Sequence, residues 1–94
     1  MTDLVLDVQH DYFNSAEILA IFGAPTRLKI LQLIASSKVF TISDIASTLE
    51  CGIANVSHHI QILEDAGLVN KLRMKDGSQR KSLTNNYNKV IVKL

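Results

Sequence analysis

Residues 51–69 constrain the fold more than any other stretch of the chain. They read CGIANVSHHIQILEDAGLV. Apolar side chains recur there at intervals of three and four residues, which predicts one buried stripe on a helix. The stripe consists of Ile53, Val56, Ile60 and Leu63. Because Gly52 precedes this pattern and Gly67 follows it, we expect the helix over about residues 54–66.

The opposite face of this helix carries hydrogen-bonding side chains without formal charge. They are Asn55, Ser57, His58 and Gln61. A surface helix that needs only solubility usually carries charged residues there, whereas these groups can pair with base edges in a DNA major groove. An ordinary amphipathic helix gives the same pattern, so the neighbouring segments must decide between the two interpretations.

The composition indicates one globular domain that spans residues 1–94. Hydrophobic residues make up 47% of the chain and charged residues 20%. A single cysteine excludes an internal disulfide and favours a reducing, cytoplasmic location, with association to the nucleoid if the chain binds DNA. The sequence has no apolar run of about 18 residues, so no membrane partner is expected. Acidic residues near the N-terminus argue against a targeting peptide.

Charge is unevenly distributed, although the net charge is only +1. Residues 1–17 contain four carboxylates and no lysine or arginine. Residues 68–83 contain five basic residues and only Asp76 as an acid. Such a polarised chain can orient itself on a polyanion.

The segments before residue 51 predict three further helices. Residues 14–17 resemble a capping box, so the first helix should begin near Ser15. Pro25 suits the first position of a second, largely buried helix. Residues 39–42 predict a short strand, and Thr41 or Ser43 can cap a third helix over about residues 43–49. Residues 1–13 fit either a strand or a helix.

After Gly67 the pattern changes to the alternation of a β-hairpin. Asp76-Gly77 is a strong turn signal between strands at about residues 68–75 and 78–83. In residues 85–94 the apolar side chains have helical spacing, which predicts a short last helix, although residues 90–92 could equally form a strand.

This order predicts a mainly α fold with a small β-hairpin, a winged helix-turn-helix with the order α-α-β-α-α-β-β-α. Residues 43–66 would form the helix-turn-helix and residues 68–84 the wing. In such a module base contacts specify the sequence and phosphate contacts position the protein on double-stranded DNA. The candidate DNA-contacting residues are Thr41, Ser43, Ala54, Asn55, Ser57, His58, Gln61, Lys71, Arg73, Lys75, Arg80 and Lys81.

Two segments resemble the arsenical-resistance-repressor (ArsR) type of transcriptional regulators. Residues 24–31 read APTRLKIL and residues 55–69 read NVSHHIQILEDAGLV. The wing matches more loosely, at Arg73, Asp76-Gly77 and Arg80. The resemblance covers about residues 15–84. It implies a homodimeric repressor whose dimer contact comes from residues 1–22 and 85–94, where the apolar surface is also large for two chain ends.

The chain departs from the metal-sensing members of that family. Residues 41–44 read TISD where their thiolate motif would lie, and residues 85–94 contain neither aspartate nor histidine. We therefore expect no metal site, no cofactor and no obvious small-molecule ligand. Asp7, His10 and Asp11 have spacing that could chelate a metal on a helix, but a solvated acidic end is the simpler interpretation.

The remaining candidates have a structural and a functional interpretation. We expect His58 to face outward, and His59 to be packed and hydrogen-bonded. Cys51 could be a redox switch beside the recognition turn or a half-buried filler. Arg27 could contact phosphate or form an ion pair across the core. No catalytic constellation is evident, so an enzyme is not expected. The alternative to DNA binding is a winged helix that docks proteins of the transcription machinery.

Overall fold

The computed structural model describes residues 2–36, 41–73 and 81–94. Within these residues it contains four helices and four strands. In chain order they are β1 (Thr2–Asp7), α1 (Tyr12–Phe22), α2 (Pro25–Ser36), α3 (Ile42–Leu49), α4 (Ile53–Asp65), β2 (Val69–Arg73), β3 (Lys81–Asn85) and β4 (Tyr87–Lys93). The antiparallel pair β2–β3 follows α4, as the predicted winged helix-turn-helix requires. The prediction of a mainly α winged helix-turn-helix fold with a small β-hairpin is therefore confirmed.

The core lies where α2, α3 and α4 meet the base of the β2–β3 hairpin. The largest fully buried side chains are Ile30, Ile45, Ile60, Leu63, Val56 and Val69. Three of them come from α4, at the three- and four-residue intervals that predicted the buried stripe. Helix α2 contributes Ile30 and Ile34, whereas its Leu28 is half exposed. The core therefore fixes α4 along one side only and leaves the other side free.

Local signals define the two helices of the helix-turn-helix. The Thr41 hydroxyl accepts a hydrogen bond from the Asp44 N–H, and the Asp44 carboxylate accepts one from the Thr41 N–H, so a capping box begins α3. Glu50 ends α3 in the left-handed region, with φ of 54°. After α4, Gly67 takes φ of +77°, which glycine tolerates best, and turns the chain into β2.

The predicted last helix is wrong, because residues 87–93 form strand β4. This strand pairs in parallel with β1, with Leu4 opposite Val90 and Leu6 opposite Val92. The helical spacing of the apolar residues misled the prediction, whereas the β-branched run at residues 90–92 was the better signal. The N-terminal segment was predicted to be either a strand or a helix. Its residues 2–7 form a strand, β1, which pairs with β4.

Two further boundaries differ from the prediction. Helix α1 begins at Tyr12, one turn early, because the Asp11 carboxylate accepts a hydrogen bond from the Asn14 N–H and thereby caps the helix. The predicted strand over residues 39–42 does not extend into the described residues, since Thr41 is a helix cap and Ile42 begins α3; residues 39 and 40 lie outside them.

In the described part of the chain no single helix is long and apolar enough to cross a membrane. Helices α1 and α2 have the necessary length and apolarity only as a pair, and the pair is bent by 82°.

Candidate nucleic-acid interface

Helix α4 presents most of the predicted base-reading residues on its accessible side. Ala54, Asn55, His58 and Gln61 are exposed and Ser57 is half-buried. Ala54, His58 and Gln61 lie three or four residues apart and so share one face, which Asn55 and Ser57 flank. Since α4 is anchored in the core by its other side, these side chains stand on a rigid element. Hydrogen-bonding groups placed in this way can meet base edges.

The α4 surface differs from the prediction at its first residue. Ile53 was expected to continue the buried stripe, but 58% of it is exposed. The fully buried part of the stripe begins at Val56, so Ile53 lies one turn beyond the buried core. Gly52 precedes it at the helix cap without a side-chain cap hydrogen bond, and a Cβ placed there would meet no atom within 4 Å.

The two candidate residues at the start of α3 have different surroundings. Ser43 is exposed on the first turn. Thr41 is only 4% exposed, and its hydroxyl already accepts the capping hydrogen bond of α3. Thr41 therefore fixes where α3 begins, and little of its side chain is available to a partner.

Gln61 is held in a hydrogen-bond network at the C-terminal end of α4. Its amide nitrogen donates to Asp65 Oδ1 at 2.8 Å and to Glu64 Oε1 at 3.4 Å. Lys71 on β2 donates to Gln61 Oε1 at 3.4 Å and lies 3.3 Å from Glu64 Oε1. Contact with a base or phosphate would therefore have to replace these bonds. The sequence signal for the network is the helical spacing of Gln61, Glu64 and Asp65.

The hairpin places positive charge beside α4. Arg73 and Lys81 are exposed and occupy paired register positions on β2 and β3. Lys71 is half-buried by its contacts with α4. Lys75, Arg80 and the predicted Asp76-Gly77 turn lie outside the described residues. The described strands thus carry two exposed cations at the distal end of their pairing, which suits a phosphate backbone.

Arg27 links three helices beneath the interface. Its Nε donates to the Ile21 carbonyl at 2.7 Å, and its Nη1 lies 3.2 Å from His59 Nδ1. Burial, followed by the charges of Arg27 and His58, lowers the pKa of His59 below its ordinary value of 6.5. His59 is therefore packed and hydrogen-bonded, as expected. Arg27 has a structural role, through a carbonyl and an imidazole rather than through a carboxylate.

The other candidate sites have structural contacts. Cys51 is half-buried, with its thiol 3.5 Å from the Leu49 carbonyl oxygen. Asp7 accepts a hydrogen bond from His10 at 2.8 Å, which lowers the pKa of that carboxyl group, while Asp11 caps α1. Across the described residues, no group of three or more His, Cys, Asp or Glu side chains is arranged to hold a metal ion.

Known proteins are similar in sequence to part of this chain. A family model described as a helix-turn-helix domain matches residues 22–71. An uncharacterized HTH-type transcriptional regulator of Methanocaldococcus jannaschii is 41% identical over 58 residues. That alignment covers 62% of this chain and 65% of the relative, so it spans slightly less than two thirds of the relative's length.

Solved structures share the fold at lower identity. A homodimeric winged helix-turn-helix DNA-binding domain from Mycobacterium bovis has a TM-score of 0.69 at 22% identity, covering 83% of this chain and 68% of that one. Reduced HlyU from Vibrio cholerae has the same score and identity and covers 83% and 78%. The zinc-responsive MarR family member ZitR of Lactococcus lactis scores 0.63 at 22% identity, over 67% and 43%. Because the family match over residues 22–71 spans more than half of the sequence, this chain belongs to the helix-turn-helix domain family.

Proposed function

We propose that the protein is a transcriptional regulator that binds double-stranded DNA sequence-specifically through α4. The observation that carries this proposal is the uncharged, hydrogen-bonding surface that residues 54–61 of α4 present, fixed from behind by Val56, Ile60 and Leu63. A helix held in this way can enter a major groove about 12 Å wide. The description of the M. jannaschii relative as a transcriptional regulator supports a regulatory rather than a catalytic role.

The proposal divides the contacts between two elements. Asn55, His58 and Gln61 would read base edges, because amide and imidazole groups can donate and accept hydrogen bonds. Arg73 and Lys81, with Lys75 and Arg80, would hold the phosphate backbone. Within the single domain of residues 1–94, residues 43–66 are the reading unit and residues 68–84 the wing.

We further propose an ArsR-type homodimeric repressor. An open groove of about 500 Å³ lies between α1, α2 and β4, and Leu19, Phe22, Leu28, Val90 and Val92 line it. Four of these residues, all except Leu28, belong to the segments expected to dimerise, residues 1–22 and 85–94. Covering the groove with a second copy would bury apolar side chains that are now 40–50% exposed, among them Leu19, Leu28 and Val90. The structurally similar M. bovis domain is described as homodimeric, which supports a homodimer.

One observation favours the alternative, a winged helix that docks another protein. The C-terminal turn of α4 carries Glu64 and Asp65, and carboxylates near the groove would repel phosphates. However, Lys71 pairs with Glu64, and the amide of Gln61 pairs with both carboxylates, so this end of α4 is partly neutralised. The first turns of α4 carry no acid, and they are the part of a recognition helix that contacts bases.

A salt titration of DNA binding tests the proposal with variants of both elements. Asn55→Ala should reduce the free energy of binding to the preferred duplex by roughly 1–3 kcal/mol and change binding to a scrambled duplex little. Lys81→Ala should weaken binding to both duplexes by similar factors. It should also reduce the slope of log affinity against log salt concentration by about one unit, because one fewer counterion is released. Lys29→Ala is the matched control, since Lys29 is an exposed cation on α2 and belongs to neither element. If neither Asn55→Ala nor Lys81→Ala changes binding, the protein-docking alternative is favoured.

A further inference from the structure

We infer that Ile53 is a specificity-determining residue that reads the C5-methyl group of a thymine. This inference rests on the proposed function, since it names the base chemistry that one position of α4 selects. Ile53 is 58% exposed, although every other member of its apolar stripe is fully buried. Because the buried part of the stripe is complete without it, the Ile53 side chain is available for a contact outside the core.

The position of Ile53 is where a recognition helix meets the bases. It is the first residue of α4, immediately before the exposed Ala54 and Asn55. In helix-turn-helix proteins the N-terminal residues of the second helix contact base edges. The N-cap residue Gly52 has no side chain, and a Cβ built on it would meet no atom within 4 Å beyond its chain neighbours. Ile53 itself is 58% exposed, so a base edge can reach its side chain.

The chemistry of the major groove leaves one suitable partner for an aliphatic side chain. Base edges there present hydrogen-bond donors and acceptors, and the C5-methyl group of thymine is the apolar exception. The exposed neighbours of Ile53 on α4 are polar or small, so Ile53 is a single apolar group rather than part of a patch. A partner that offers one methyl group among polar atoms matches this surface.

Replacing thymine by deoxyuridine removes only that methyl group and so tests the inference directly. The probe is the duplex that wild-type protein prefers among random fragments, with each thymine of one half-site replaced in turn. At one position we expect deoxyuridine to weaken wild-type binding roughly fourfold, the free energy of burying one methyl group. Ile53→Ala should bind the thymine and deoxyuridine duplexes equally well. Ile53→Val, which keeps two methyl groups, should retain the discrimination.

The outcomes of this experiment separate failure of the Ile53 inference from failure of the proposed function. If deoxyuridine weakens wild type and Ile53→Ala by the same factor at every position, Ile53 reads no methyl group and the inference is overturned while DNA binding stands. If wild type prefers no duplex at all, the proposed function fails and the inference fails with it. Because Ile53 is exposed, its variants should fold, and circular dichroism spectra that match wild type check this.

Discussion

Replacing Arg27 with methionine separates a structural role from a phosphate contact. Methionine keeps much of the apolar stem of arginine but removes the guanidinium group. The structure then loses the hydrogen bond to the Ile21 carbonyl and the contact with His59 Nδ1. These two contacts join α1 and α4 to α2, so we expect Arg27→Met to destabilise the fold.

The magnitude follows from the number and setting of the lost bonds. A hydrogen bond with a charged donor contributes about 1.5–3 kcal/mol. Arg27 is half-buried, so water can partly replace its bonds, and the lower end applies. With two bonds at about 1.5 kcal/mol each, we expect the free energy of unfolding to fall by about 3 kcal/mol, a large part of the roughly 5–15 kcal/mol of a small domain. Urea unfolding followed by circular dichroism measures this difference.

Lys29→Met is the matched control, because it removes one positive charge from an exposed position on the same helix. Its free energy of unfolding should change by no more than about 0.5 kcal/mol. Folded Arg27→Met should also keep the salt slope of DNA binding. The reasoning is refuted if both variants are equally stable and Arg27→Met lowers the salt slope by about one unit, as loss of a phosphate contact would.

Three further predictions concern pH, assembly and metal. Because the pKa of His59 is lower in the folded protein than its ordinary value of 6.5, the unfolded chain takes up the proton first, and stability should fall as pH drops below 6.5 towards the folded-state pKa. His59→Gln should lose this dependence in urea titrations, and a pH profile identical to wild type would contradict it. Light scattering at micromolar concentration should show twice the 10.4 kDa chain mass, and Leu19→Asp should shift it to the monomer; a wild-type species of 10.4 kDa alone argues against the dimer. DNA affinity should be the same with zinc and with a chelator, and a change of tenfold or more, about 1.4 kcal/mol, would reveal a metal site.

Local signals were sufficient to predict the helices that build the helix-turn-helix. The stripe of α4, the cap at Thr41 and the turn at Gly67 each depend on residues within a few positions of one another. Patterns of that kind are visible in one sequence, because the period of a helix and the residues that cap it lie close together along the chain. The polar face of α4 was predictable for the same reason.

The features that the sequence did not reveal depend on distant contacts. Strand β4 is a strand because β1, more than 80 residues earlier, pairs with it, and no local pattern records that pairing. The exposure of Ile53 depends on where the core formed by α2 and α3 stops. The Arg27–His59 contact joins residues 32 positions apart. The sequence therefore left two roles open for Arg27, a phosphate contact or an ion pair across the core.

Selection of bound fragments from random or genomic duplexes by purified protein tests most directly whether α4 reads DNA sequence. We predict enrichment of a motif with two half-sites whose centres lie about 10–10.5 base pairs apart or at a multiple of that spacing, as two recognition helices in a homodimer require. The same selection with Asn55→Ala should lose information at specific positions within each half-site. Recovery of fragments with no common motif by the wild-type protein, at salt concentrations where it still binds DNA, would contradict the account.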